Sequence, residues 1–188
     1  MLTKSAEWYI EHFDQISQFE KWIEIFRSEV PREIRNLVKS AADVAVAELS
    51  NKHDDYSSVS SSKDSDGFSV YWFLANSYDD ERRCGACVSA WIPKTPEGLS
   101  GDSEYPPVLG LYYEDSKKKM EQVGKQISSA LKRIGKIEDG MFTCVQRQLK
   151  EINVHALLKP KDLEKELARI FKEFTDAARP GLLLAPKR

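Results

Sequence analysis

Phe68-Ser-Val-Tyr-Trp-Phe-Leu-Ala-Asn76 is the stretch that decides the fold. Both of its alternating sets, Phe68, Val70, Trp72, Leu74 and Tyr71, Phe73, Ala75, are largely apolar, as a strand covered on two faces requires. Two further runs, CGACVSAWI (84–92) and PVLGLYYED (107–115), carry the same aromatic and β-branched enrichment. The polar turn NSYDDERR (76–83) is long enough to reverse the chain, so the first two strands are expected to pair antiparallel. The Pro- and Gly-rich connection PKTPEGLSGDSEYPP leads to the third. Together these runs specify a sheet with the 68–76 strand at its centre, and no catalytic constellation is planted on them.

Upstream, Tyr9, Phe13, Ile16, Trp22, Ile23 and Phe26 recur at helical steps, with Trp8, Phe19 and Ile25 widening the face. Pro31 suits a first helical position, and Ile34, Leu37, Val38, Ala41, Ala45 and Leu49 continue a second amphipathic pattern. The chain is therefore expected to open with a helical pair or one bent helix. Residues 50–67, dominated by Ser, Asp and Lys, have almost nothing to bury and read as a mobile surface loop.

Downstream, Met120, Val123, Ile127, Leu131 and Ile134 form a helical stripe that Gly135 would stop. Met141–Arg147 and Asn153–Leu158 lean towards strand, either being open to reading as part of a bent helix. Pro160 opens a last helix with the stripe Leu163, Leu167, Ile170, Phe171 and Phe174, closed by Pro180 and Gly181, before a tail at 181–188. Leu182, Leu183 and Leu184 suggest docking of that tail onto the domain or a partner. The expected fold is α+β or mixed α/β in the order ααβββαβ(β)α. A three- to five-stranded sheet lies between the N-terminal helices on one face and the two later helices on the other.

A chain of 188 residues, 41% hydrophobic and 31% charged, fits one soluble domain spanning 1–188. A formal net charge of -2 excludes the overall basicity that drives indiscriminate nucleic-acid binding. The N-terminus lacks the continuous apolar segment of a secretory signal, no run approaches the ~20 residues of a membrane span, and three cysteines fit reduced thiols. The expectation is a cytoplasmic protein that engages no membrane.

Three groups could carry chemistry. Cys84 and Cys87 could bind zinc with Cys144 and His155 as completing ligands, but residues three apart on a strand point to opposite faces, which favours a buried Cys87. Lys117, Lys118 and Lys119 occupy a helix's first turn, where each exposed cation costs about 0.3–1 kcal/mol. An anion bound there would offset that cost, making nucleic-acid phosphate or an acidic protein surface a natural partner. Finally, Glu114, Asp115 and Lys117, with Asp102 upstream, form a carboxylate-and-lysine set of the kind that holds magnesium and positions water. Asp115 or Ser116 serves equally well as an N-cap. The tryptophans, each in an apolar periodic run, are expected to pack the core.

The αβββαβ order across Pro31–Leu158 resembles the restriction-endonuclease-like superfamily, which implies metal-dependent cleavage of nucleic acid or a degenerate, non-cutting relative. The match is one of element order: Asp102 lies in a loop and Asp115-x-Lys117 at a helix start, whereas that motif sits within strands. The order with a second late strand also looks like that of type III secretion chaperones. The reading that leads is a non-enzymatic binding protein that contacts another protein or an anionic partner and needs no cofactor, because no converging set of ionisable groups can be assembled. The alternative is the metal-dependent nuclease using Asp102, Glu114, Asp115 and Lys117.

Overall fold

The computed structural model describes residues 3–57, 59–63, 66–74, 77–79, 84–99, 105–114, 137–138 and 143–183. A short helix α1 (Lys4–Glu11) turns at His12 into a 41-residue helix α2 (Phe13–His53). Strands β1 (Ser60–Lys63), β2 (Gly67–Trp72), β3 (Tyr78–Asp79), β4 (Cys84–Pro93), β5 (Val108–Glu114), β6 (Ile137–Glu138) and β7 (Thr143–Gln148) follow. A last helix α3 covers Pro160–Leu183. The fold is α+β, as the patterning predicts: helices, then an antiparallel sheet, then a helix.

Five principal strands form an antiparallel sheet in the spatial order β1-β2-β4-β5-β7, with the two-residue strands β3 and β6 pairing to β4 and β7. The 68–76 run is thus one strand in from the edge, and β4 holds the centre. Register places Phe68, Val70 and Trp72 opposite Ile92, Ala90 and Val88, and the last two opposite Leu109 and Leu111. All of these are buried and form the face on which the helices pack. The other face carries Ser69, Tyr71, Ser89, Trp91, Val108 and Tyr112, each of intermediate exposure.

Helix α2 packs along α3, and both lie on this one face. Four cross-helix pairs, Ser40–Glu164, Glu48–Lys172, Lys52–Asp176 and Asp55–Arg179, share a constant offset of 124 residues. The two helices therefore run parallel and in register. The small residues Ala41, Ala42 and Ala45 on α2 allow this close approach. The expectation that later helices cover the opposite face is corrected for α3: its stripe of Leu167, Ile170, Phe171 and Phe174 enters the same core as Val38, Leu49 and Trp72.

Other local expectations change for identifiable reasons. Pro31 lies inside α2 and does not start a helix. Its missing N–H leaves the carbonyl of Arg27 unpaired in the ladder, on a stretch of helix exposed enough for water to satisfy it. Residues 50–67, expected as a loop, supply the last turn of α2, a bridge between Tyr56 and Leu74, and edge strand β1, whose Ser61 accepts a hydrogen bond from Arg35 at 3.0 Å. Asn153–Leu158 is a 3-10 turn capped by Asn153, whose side chain accepts from the Ala156 N–H. Met141–Arg147 does yield β7. Helix α3 continues through Pro180 and Gly181, and Leu182 enters the core while Leu183 stays exposed. The helix expected around 120–134 lies outside the described residues.

Candidate functional site

The N-terminal half of the helical layer sets this molecule apart. From Lys4 to Glu29 no described side chain is buried, and the first buried residue of α2 is Ile34. Within this arm Trp8 is 57% exposed, Phe13 53%, Phe19 59%, Trp22 54% and Ile23 49%. The expectation that Trp8 and Trp22 pack the core is thus corrected. Periodicity reports which face of a helix is apolar, and here the described part of the body ends before it reaches that face. Trp72, on β2, is fully buried as expected, and Trp91 is of intermediate exposure.

Helix continuity explains the arm. The apolar spacing that faces α3 within the body continues towards the N-terminus, but α3 begins only at Pro160. The in-register offset puts Pro160 level with Asn36. Below that level Ile34 is buried and Val30 packs partly against the core, but from Phe13 to Glu29 no described side chain of α2 is buried. Aromatic neighbours cover one another only partly: Phe19 and Trp22 meet edge to face at 5.5 Å, and Trp8 stacks on His12 at 4.4 Å. Exposed aromatic and branched side chains on neighbouring turns, such as Phe19, Trp22 and Ile23, are the chemistry of a protein-contact surface.

The densest ionisable group among the described residues lies at the opposite end of the helix pair. Arg179 donates both terminal nitrogens to the two carboxylate oxygens of Asp55, at 2.9 and 2.6 Å, and its guanidinium sits 5.3 Å above the Tyr56 ring. That bidentate bond holds the Asp55 carboxyl below the usual carboxylate range, while burial pushes the Tyr56 phenol up. The Tyr56 hydroxyl is buried with no hydrogen-bond partner among the described residues. Asp176 takes Lys52 at 3.1 Å and lies 3.6 Å from His53. Because these charges pair across α2 and α3, the group clasps the two helix ends together.

Of the residues singled out in the sequence, Cys87 is buried at 3% exposure on β4, Cys84 opens that strand, Cys144 lies on β7 and His155 is exposed on the 3-10 turn. Strand β5 separates β4 from β7, and adjacent strands stand about 4.8 Å apart, so Cys87 and Cys144 sit on strands two spacings apart. Glu114 closes β5. Asp102, Asp115, Lys117, Lys118 and Lys119 lie outside the described residues. Among those described, no group of three or more His, Cys, Asp or Glu is placed to hold a metal ion, and no helix is long and apolar enough to cross a membrane.

No protein-family model, curated protein or solved structure matches this chain. The arm's signal was present in the sequence as an apolar helical face of residues 6–26, longer towards the N-terminus than α3 can cover.

Proposed function

We propose that this chain is a non-enzymatic binding protein that acts by protein contact, with the helical arm as its contact element. The observation that carries the reading is the exposed group Phe19, Trp22 and Ile23 on α2, with Phe13 at its start and Trp8 on α1 exposed as well, on a helix whose later turns pack into the body. Exposed apolar rows of this kind cost solubility and are kept off the surface of most monomers, so their natural state is covered. Helix-in-groove or helix-on-helix recognition fits the geometry, with anchors at steps of three and four. Lys117–Lys119 would add attraction for an acidic surface on the partner. Buried Cys87 and the few cysteines of the chain suit a reducing compartment, the cytoplasm.

A photo-crosslinking residue at position 19, on the apolar row, tests this in cells, with position 21 on the opposite side of the helix as control. Protein adducts at 19 that are lost in Trp22→Ser/Ile23→Ser, with unchanged circular dichroism, support contact through the arm. Equal labelling at both positions counts against it. So does magnesium- or manganese-dependent cleavage of nucleic acid that vanishes in Asp115→Ala, which would establish the nuclease alternative.

A further inference from the structure

We infer that the arm's partner is a second copy of this chain, bound antiparallel along α2 to form a two-fold symmetric dimer. This rests on the contact reading above and names the occupant of that surface.

The spacing of the seam is the first ground. Ile16, Phe19, Ile23, Phe26 and Val30 follow one another at alternating steps of three and four in sequence, the spacing of a two-stranded coiled-coil seam, which stops at Glu33 where the body begins and Val30 packs partly against the core. The body itself shows what fills such a seam: from Asn36 onward, α3 lies along it in parallel.

Length supplies the second ground. The part of α2 in which no described side chain is buried runs from Phe13 to Glu33, about 32 Å of helix at 1.5 Å per residue, with Val30 packing partly against the core. Under a two-fold axis that sets Phe19 opposite Val30 of the other copy and Ile23 opposite its residue 26, Phe13 of the second chain falls level with Asn36. The incoming helix thus reaches the level at which α3 begins, and residues 16–33 of each arm lie along those of the other.

Charge selects this register over its neighbours. In it, Glu20 of each chain flanks Arg27 of the other, giving two equivalent ion pairs at the edge of the seam. Shifting by one heptad, with Phe19 opposite Ile23, would set Glu20 against Glu20. A parallel arrangement places Glu20 beside Gln15 and Arg27 beside Trp22, with no ion pair in either position. Glu20 and Arg27 are both exposed in the single chain and available for this contact.

Sedimentation equilibrium of the full chain, from nanomolar to ~100 µM, should show reversible conversion from 21.5 kDa to twice that mass. Phe19→Lys/Ile23→Lys should weaken the association about a hundredfold or more, since each change enters a symmetric interface twice, without altering the thermal transition of the monomer. Oxidation of Glu20→Cys/Arg27→Cys should link two chains by a 20–27 disulfide located by peptide mapping, which thiols at 84, 87 and 144 cannot imitate. A chain monomeric at every concentration, a dimer indifferent to the lysine pair, or a dominant 20–20 linkage overturns the proposal. If the chain is monomeric yet position 19 crosslinks to a different protein, self-pairing fails and the contact reading stands. If neither is seen, both fail.

Discussion

The indole Nε1 of Trp72 on β2 donates to Oγ1 of Thr175 on α3 at 2.9 Å, and that hydroxyl donates onward to the Phe171 carbonyl at 2.6 Å. Both residues are fully buried. One side chain of the sheet and one of the last helix thus satisfy each other's polar groups where water cannot reach, which fixes the depth and rotation of α3 on the sheet. The Phe171 ring tilts against the same indole at 5.2 Å.

Thr175→Val keeps the shape and removes the acceptor, stranding the indole N–H. The expected cost is about 1–3 kcal/mol in urea unfolding. Trp72→Phe alone loses volume and the donor, so the double variant should cost clearly less than the two single changes added together. Strict additivity would show that the bond contributes nothing.

Asp55 and Arg179 make a pH prediction. The carboxyl's folded pKa lies below its unfolded value, so the stability it contributes is fully present above the unfolded value near 4 and is lost as pH falls through the folded value. Wild type should therefore lose stability more steeply than Arg179→Met on acidification below about pH 4. Parallel acid transitions in the two proteins would contradict the pairing.

Gly67 opens β2 where a Cβ would meet the backbone oxygen of Ile92 at 2.5 Å and the Trp91 ring at 2.7 Å. Backbone cannot yield as a flexible side chain does. Gly67→Ala should destabilise by about 1–3 kcal/mol, read from the denaturation midpoint. Gly98, whose Cβ would meet the Pro93 ring at 2.5 Å, should behave in the same sense.

Pro31 interrupts the hydrogen-bond ladder of α2 without ending the helix. Pro31→Ala restores a donor to the Arg27 carbonyl and should raise stability by about 1 kcal/mol or more, with greater helical ellipticity. A drop in the melting temperature would mean that the ring's own packing outweighs the missing bond.

The sheet was legible because its three long strands are apolar on residue after residue, and α3 because Leu163, Leu167, Ile170, Phe171 and Phe174 keep helical step without a break. Strand β1 was not, since Ser-Ser-Ser-Lys has no strand propensity of its own and is held by pairing to β2 and by Arg35. Pro31 and Pro180 read as boundaries because local sequence cannot reveal that buried residues, Ile34 and Val38 after Pro31 in α2 and Ala178 and Leu182 on either side of Pro180 in α3, carry each helix onward. The parallel pairing of α2 with α3 depends on contacts 124 residues apart. The arm shows the same divide: its apolar spacing was readable from the first residues, whereas its exposure depends on where α3 starts.

Hydroxyl-radical footprinting of the full chain, read at Trp8, Trp22 and Trp72 in dilute and concentrated solution, tests the account most directly. In dilute solution Trp8 and Trp22 should oxidise nearly as fast as in the unfolded chain while Trp72 stays protected, and Trp22 should become shielded as concentration rises. If Trp22 is as protected as Trp72 in dilute solution, the arm is covered by its own body and the account fails.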